Sequence, residues 1–420
     1  MSFEEFGLNA SILAGIRSLG YTTPTPVQSK AIPTILLGHD VMGLAQTGTG
    51  KTAAYVLPML NRLSNSSRGK GGTACKKARA LIVAPTRELA DQIDAAIRVM
   101  GKRTRFESMT IYGGASFNIQ ENKLHKGVDI IVACPGRLLD HINQGKADLS
   151  SVEMLVLDEA DRMLDMGFIP DIRKILRHIP GKRQTLLFSA TMPDDIRTLT
   201  KQIMNRPVIV QVDHSMPAKT ISHALYPVAE HLKTPFLIRL LRNIESKSVL
   251  VFTRTKHRAK RVTDKLQRDG FKATPLQGNM TQARRQKSLN GFRNGKYRIL
   301  VATDLAARGM DISSISHVIN YDMPDTADAY THRVGRTGRA ARTGEAFSLV
   351  TQADKFIVQS FERTMEIELV IRELEGFDYN MLAPRKQASV LSHNTASRKQ
   401  AAVTYGRNKS SHYRARRRAS

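Results

Sequence analysis

Cysteine is nearly missing from this chain of 420 residues, which holds only Cys75 and Cys134. Two cysteines build neither a disulfide framework nor a four-cysteine zinc site, and such sparse usage points to a reducing compartment. Long apolar runs are missing too; none approaches the roughly 20 residues that span a bilayer. The opening Met1-Ser-Phe-Glu-Glu-Phe6 carries acid where a signal peptide needs base, and no apolar segment of that type follows. Acid is the third shortage: 37 Asp and Glu stand against 64 Lys and Arg, a formal net charge of +27. Such an excess calls for a polyanion, nucleic acid ahead of an acidic membrane face. Hydrophobic residues make up 41%, enough to bury real cores, which excludes wholesale disorder. At about 100–200 residues per domain, the length predicts two or three domains. The expectation is a soluble, cytoplasmic protein with a polyanionic partner.

The charge is uneven. Residues 385–420 hold ten Lys or Arg and no acid, are rich in Ser, Ala, Gln and Asn, and show no apolar period. Such a segment cannot offset its ordering entropy by burial, so it is expected to be a disordered basic arm. Tyr405 and Tyr413 lie among its bases, which suits stacking on RNA more than a purely solvated arm. The other residues keep a net +17.

Short apolar runs alternate with helix-like stretches such as Arg87–Met100. In the first half they are Val41-Met-Gly-Leu-Ala45, Ala80-Leu-Ile-Val83, Met109-Thr-Ile-Tyr112, Asp129-Ile-Ile-Val132, Met154-Leu-Val-Leu157 and Thr185-Leu-Leu-Phe188. In the second half they are Val249-Leu-Val-Phe252, Ala273-Thr-Pro-Leu276, Ile299-Leu-Val-Ala302, Val318-Ile-Asn-Tyr321 and Ala346-Phe-Ser-Leu349. Strand–helix alternation of this kind predicts an α/β fold with parallel sheets covered on both faces. The polar, Pro-containing segment 213–220 is the linker candidate, dividing the chain into 1–212 and 221–384. The Gly/Ser/Lys-rich stretch 64–78 reads as a surface loop.

Ala45-Gln46-Thr47-Gly48-Thr49-Gly50-Lys51-Thr52 follows a predicted strand and precedes a helix-like stretch, the context a P-loop requires. Its glycines let backbone N–H groups cradle phosphate oxygens at a helix N-terminus. Lys51 would reach the β- and γ-phosphates of ATP, and Thr52 would hold Mg²⁺. The strict pattern opens with Gly, and Ala45 stands there instead. Downstream, an apolar strand delivers Asp158-Glu159-Ala160-Asp161 at its C-terminal end. That places Asp158 for the metal, through its water shell, and Glu159 to polarise an attacking water.

These motifs are followed in order by Ser189-Ala-Thr191 and His332-Arg-Val-Gly-Arg-Thr-Gly-Arg339. The set resembles the DEAD-box ATP-dependent RNA helicases over nearly all of residues 3–377. The stretch Gly20-Tyr-Thr-Thr-Pro-Thr-Pro-Val-Gln28 and the short tail look most like the bacterial RhlE-type group. The resemblance implies two tandem RecA-like domains, with ATP in the cleft and RNA across both. It implies that Gln28 reads the adenine edge and that Phe3 stacks on the base. Asp161, Ser189, Thr191, His332 and Arg333 would couple hydrolysis to strand opening, the last two by bridging to the acidic motif. Arg336 and Arg339 would be arginine fingers, and Asp304 would contact the ribose. On the RNA side stand Pro85, Thr86, Arg87, Gly113, Gly114, Pro135, Gly136 and Arg137, then Arg254, Gln282, Arg285, Thr303 and Arg308. Cys134 replaces the usual Thr, which puts one hydroxyl contact in doubt.

The function implied is RNA-stimulated ATP hydrolysis coupled to local, non-processive opening of short duplexes and ribonucleoprotein remodelling. The core would be monomeric, and ribosomal or RNA-decay machinery are the candidate partners. The rival readings are an ATP-gated RNA clamp, an annealing chaperone working through the tail, and a DNA helicase on the same core.

Overall fold

The computed structural model describes residues 2–45, 48–65, 77–212, 221–307, 315–338, 344–365, 367 and 369–382. The linker candidate 213–220, the basic arm 385–420 and most of the surface loop lie outside them. The described strands sort into two seven-stranded sheets. The first comprises β1 (Val41–Leu44), β2 (Ala80–Val83), β3 (Ser108–Ile111), β4 (Ile130–Ala133), β5 (Met154–Asp158), β6 (Gln184–Ser189) and β7 (Val208–Gln211). Its spatial order is β3-β4-β2-β5-β6-β1-β7. The second comprises β8 (Ile221–Pro227), β9 (Val249–Phe252), β10 (Ala273–Leu276), β11 (Ile299–Ala302), β12 (His317–Asn320), β13 (Gly344–Val350) and β14 (Val370–Ile371). Its order is β10-β11-β9-β12-β13-β8-β14.

Every pairing in both sheets is parallel. Parallel neighbours need crossovers, which helices such as Lys51–Asn65 and Arg87–Met100 supply. In β2, Ala80 and Ile82 enter one core while Leu81 and Val83 enter another. In β9, Val249 and Val251 face one core and Leu250 and Phe252 the other. Burial on both faces is why these strands read as continuous apolar runs. The architecture is that of two tandem RecA-like lobes, as expected.

Three expected strands are offset by one residue: β3, β4 and β12 span 108–111, 130–133 and 317–320. Three more, β7, β8 and β14, are not in the sequence reading at all. β8 is broken by Ser222 and His223 and ends on Pro227, so it lacks an apolar run, and β14 is a two-residue exposed edge. β7 is an edge strand with a single buried residue, Val210. No helix among the described residues is long and apolar enough to cross a membrane.

Register decides what the fold presents. Leu44 pairs with Ser189, and Asp158 pairs with Phe188. The ends of β1, β6 and β5 therefore lie side by side, bringing the P-loop, the Ser189 motif and Asp158 together. On the other half of the same edge, Ile111, Ala133, Val83 and Leu157 are aligned, so β3, β4 and β2 deliver Gly113, Pro135 and Arg87. In the second lobe Leu276, Ala302, Phe252 and Asn320 are aligned and point Gln282, Thr303 and Arg254 to one edge.

Candidate nucleotide and nucleic-acid site

Gly48 and Gly50 have φ of 90° and 92°, a region that favours glycine. A Cβ on Gly50 would lie 2.5 Å from Gln28 Nε2. Gln28 is the third residue of the helix Pro26–Leu36. Its Oε1 accepts from the Thr25 N–H at 2.9 Å, and its Nε2 donates to the Gly50 carbonyl at 3.1 Å. It thus fastens the capping box to the phosphate turn, while an amide still keeps one N–H and further lone pairs for a base edge. Lys51 opens the helix Lys51–Asn65 and is only 6% exposed. Its Nζ has no hydrogen-bond partner among the described residues. A buried ammonium without an acceptor is costly, and a phosphate at this helix N-terminus is the group that would satisfy it. Gln46 and Thr47 lie outside the described residues; Thr52 is half-buried in the first turn of the helix Lys51–Asn65.

Phe3 departs from expectation. Its ring is 2% exposed and packs edge-on against Phe6, with centroids 6.0 Å apart, inside the first lobe's core. Burying such a side chain is worth about 1.5–3 kcal/mol, so the ring anchors the N-terminal turn and presents no open face to a base.

Asp158 ends β5 and is 2% exposed. Its Oδ2 accepts from the Tyr55 hydroxyl at 2.9 Å and its Oδ1 from the Glu159 N–H at 2.9 Å. Burial raises its pKa, and the Lys51 charge opposes that rise. Burial and the Asp158 charge hold the Tyr55 hydroxyl well above its ordinary value, so it remains a donor. Sequence reasoning missed Tyr55. The available signal was its place four residues after Lys51, on the same helix face.

Glu159 sits at φ 54°, ψ 53°, a left-handed conformation costing a non-glycine residue about 1–2 kcal/mol. Strain of this kind clusters at functional sites. The Glu159 Oε2 accepts from Arg162 Nη1 at 2.7 Å, with both side chains buried. Arg162 is a second residue the sequence reading missed. Asp161 Oδ2 accepts from the N–H groups of Ala190 and Thr191 at 3.1 and 3.0 Å and from the Thr191 hydroxyl at 3.2 Å. The Asp161 N–H donates to Ser189 Oγ at 3.1 Å. The two hydroxyls therefore serve the acidic motif and not a helix cap; the next helix, Asp194–Ile203, is preceded by Pro193.

Across from these acids a 510 Å³ cavity is lined by Asp161, Arg162 and Thr191 of the first lobe and Asp304, His332 and Arg336 of the second. Arg339 lies outside the described residues. Burial and the Arg162 charge hold His332 below its ordinary pKa against the pull of Asp161, so it is neutral at pH 7. Arg333 does not bridge the lobes as expected. It forks onto Asp304 with two bonds of 2.6 Å, donates to Asn320 Oδ1 and the Asp322 carbonyl, and lies 5.0 Å from the Phe252 ring centroid. A bidentate pair of this type is directional and strong, so Arg333 braces its own lobe and His332 is left as the group facing Asp161. Asp304 keeps about a third of its side chain exposed, and its remaining lone pairs are open to a ribose hydroxyl.

The RNA-side positions of the first lobe converge. A Cβ on Gly114, at φ 81°, would lie 2.2 Å from Arg87 Nη1, so only glycine lets that guanidinium pack there. Arg137 donates to the Ala115 carbonyl at 3.1 Å and covers Phe117. Thr86 caps the helix Arg87–Met100 through the Leu89 N–H, and Pro85 precedes it. Pro135 and Gly136 open the helix Pro135–Asn143, whose N-cap Cys134 makes no side-chain cap bond. Burial pushes the Cys134 thiol up to about 12, so it is a neutral, inert group where a hydroxyl was expected.

In the second lobe Arg254 is exposed beside the cavity, and Thr303 is buried at the end of β11. Both polar atoms of the Gln282 amide are buried without a hydrogen-bond partner among the described residues. Arg308 lies outside the described residues. Arg285 departs from expectation: its Nε donates to Glu88 Oε1 of the first lobe at 2.7 Å, with both side chains buried. Its remaining nitrogens reach the Gln277 and Ala306 carbonyls at 3.4 and 3.3 Å.

A phosphate turn and an acid-ended strand on one parallel sheet, faced by arginine from a second such sheet, define a two-lobed RecA-like ATPase. Residues 25–199 match the DEAD/DEAH box helicase family and residues 232–341 the helicase conserved C-terminal domain. The chain is 40% identical over 382 residues to the DEAD-box ATP-dependent RNA helicase RhpA of Helicobacter pylori, covering 91% of this chain and 76% of that one. It is 41% identical over 405 residues to the DEAD-box ATP-dependent RNA helicase CshA of Bacillus anthracis, covering 94% and 75%. Among solved structures, S. cerevisiae Dbp5 bound to RNA and ADP BeF3 superposes with a TM-score of 0.75 at 30% identity, over 88% of this chain and 95% of that one. The chain belongs to the DEAD-box ATP-dependent RNA helicases.

Proposed function

We propose that this chain hydrolyses ATP when RNA joins its two lobes, and uses that cycle to open short RNA duplexes locally and remodel ribonucleoprotein. The observation that carries the reading is the shared cavity, where Arg336 of one lobe faces Asp161 and Thr191 of the other. Arginine supplied from the second lobe makes turnover conditional on closure. An annealing chaperone working through the tail has no use for that arrangement, and an ATP-gated RNA clamp has no use for a base at Glu159.

The residues fit a nucleoside triphosphate with Mg²⁺. Among the described residues no group of three or more His, Cys, Asp or Glu could hold a metal alone. A cation here must share its shell with phosphate oxygens and water, which suits Mg²⁺, with Thr52 and Asp158 as the protein's contribution. When bound, it neutralises phosphate charge. Lys51 binds the phosphates, Glu159 accepts the proton of the attacking water, and Arg336 stabilises charge as the lobes close. Asp161 ties the acidic motif to Ser189 and Thr191, so that strain at the phosphates reaches the lobe boundary. ATP and RNA each favour closure and therefore raise each other's affinity.

We place the lobes at 1–212 and 221–384 joined by 213–220, with a basic RNA-contacting arm at 385–420, in a cytoplasmic, monomeric, RhlE-type protein serving ribosome assembly or RNA decay. RNA oligomers should stimulate ATPase activity, while DNA of matched sequence should do so at least about tenfold less, because only RNA offers 2′-hydroxyls. Equal stimulation in a phosphate-release assay would favour the DNA helicase instead.

Two further outcomes follow from this reading. Tyr55→Phe removes a hydrogen bond to a charged acceptor, worth about 1.5–3 kcal/mol. It should raise the Mg²⁺ concentration for half-maximal ATPase several-fold with RNA affinity unchanged, as a magnesium titration would show. Deleting residues 385–420 should weaken RNA binding broadly and flatten its salt dependence, with less effect on intrinsic ATPase. Unchanged affinity and slope would make the arm merely solvating.

A further inference from the structure

The helix Lys256–Arg268 buries Ala259, Val262, Thr263 and Leu266, the core face of a 3.6-residue period. Its outer face carries Lys256, Lys260, Arg261, Lys265 and Arg268, all exposed, and the helix holds a single acid, Asp264. Among the described residues no ion pair engages Lys260, Arg261, Lys265 or Arg268. Arg258 is different: it is bound to Asp322 and Glu230 and belongs to the lobe's own framework.

The arrangement is unfavourable for the helix by itself. Bases occupy its first turn, where the dipole prefers acid. Lys256 with Lys260 and Arg261 with Lys265 are like-charged pairs one turn apart, each destabilising by about 0.2–0.5 kcal/mol. A face kept only for solubility would mix signs. A groove of 470 Å³ runs beside this face against the start of the helix Lys233–Asn243. At Lys265 it meets a second groove, of 560 Å³, to which Arg239 and Arg242 add charge and Asp269 and Asp378 take some away.

The helix starts where the RNA-side residues of this lobe lie. Arg254 is two residues before it, and Lys256 Nζ donates to Asn279 Oδ1 at 3.1 Å, in the loop leading to Gln282. From Lys256 to Arg268 it runs about 18 Å away from that edge.

We propose that this face is a second RNA site: a sequence-independent track that holds the phosphodiester backbone of RNA extending beyond the segment gripped between the lobes. The inference rests on the RNA reading above. Successive turns of the helix present charge at about 6 Å intervals, and phosphates relieve the like-charge repulsion that the one acid in the groove, Asp264, offsets only in part. RNA is favoured over an acidic protein because the track is continuous with the RNA-side edge.

The test uses the full chain carrying Lys260→Gln, Arg261→Gln and Lys265→Gln together, three exposed changes outside the catalytic set. Binding is measured by fluorescence anisotropy across a salt series with two RNAs: a single strand long enough only for the cleft, and the same strand extended by a duplex. The extended RNA should bind about fivefold or more weakly, with its log–log salt slope reduced by about 2–3, as expected for three lost phosphate contacts at about 0.7–0.9 each. Short-RNA affinity and the ATPase it stimulates should be unchanged. Extended RNA bound with unaltered affinity and slope overturns the track alone and leaves the face to an acidic protein or to solvent. Equal weakening of both RNAs also overturns it. Wild-type ATPase unmoved by the short RNA overturns the RNA reading itself, and the track with it.

Discussion

Glu159→Gln should lower RNA-stimulated ATP turnover by at least about 100-fold while leaving ATP and RNA binding near wild type. The size follows from the role: general base catalysis contributes about 10²–10⁴ in rate, and an amide cannot take up the proton. The fold should tolerate the change. Glutamine keeps an acceptor for Arg162 Nη1, which now bonds Glu159 at 2.7 Å, and it pays the same backbone strain at φ 54°. The hydrogen bonds that position Asp158 come from Tyr55 and from a backbone N–H, neither of which changes. Single-turnover phosphate release separates chemistry from binding. Release at wild-type rate with saturating RNA would remove Glu159 from the reaction and shift attention to Asp161 or to a water held by Arg336.

Much of this site was legible because it depends on local order in the chain. A P-loop, an acidic strand end and a Ser-Ala-Thr turn each occupy a few consecutive residues, and parallel pairing carries them to one edge. Leu44, Ser189 and Asp158 lie on neighbouring strands for that reason. What the sequence hid is which partner each side chain takes. Tyr55 reads as one more large residue of an apolar helix until β5 ends beside it. Arg333 lines the cavity beside His332 and Arg336, yet its fork closes on Asp304, 29 residues away. Phe3 keeps its place in the motif, but the core claims its ring. The strands that escaped notice have separate causes: β7 is a short edge strand with only Val210 buried, β8 packs on two cores but has its apolar residues broken by Ser222 and His223, and β14 is a two-residue exposed edge.

The Glu88–Arg285 pair should prove the dominant contact between the lobes, and a charge swap should reveal it. Arg285 is expected from its motif to touch RNA, whereas the structure spends its Nε on Glu88 and its other nitrogens on backbone carbonyls. Both side chains are buried, so removing either partner leaves an uncompensated charge, a defect of about 3–5 kcal/mol. Glu88→Ala and Arg285→Ala should therefore each lower kcat/KM for RNA-stimulated ATPase by roughly 100-fold or more, if closure is needed for turnover. Arg285→Lys should recover part of the loss, since it keeps a charge opposite Glu88 but not the long bonds to the Gln277 and Ala306 carbonyls. The decisive variant is Glu88→Arg with Arg285→Glu. If the pair itself is what matters, the swap should recover at least about tenfold over the single variants, a coupling of about 1.4 kcal/mol within the range for directly contacting residues. A contact between Arg285 and phosphate predicts the reverse, because glutamate in that place would repel RNA and the double variant would be worse than either single one. Measuring the distance between fluorophores on the two lobes supplies the independent readout: the single variants should shift the ATP- and RNA-bound population towards open, and the swap should restore closure. Glu88 follows Arg87 in the first turn of the helix Arg87–Met100, so the clasp would sense RNA through that helix end, which makes lobe closure and strand binding one event and not two.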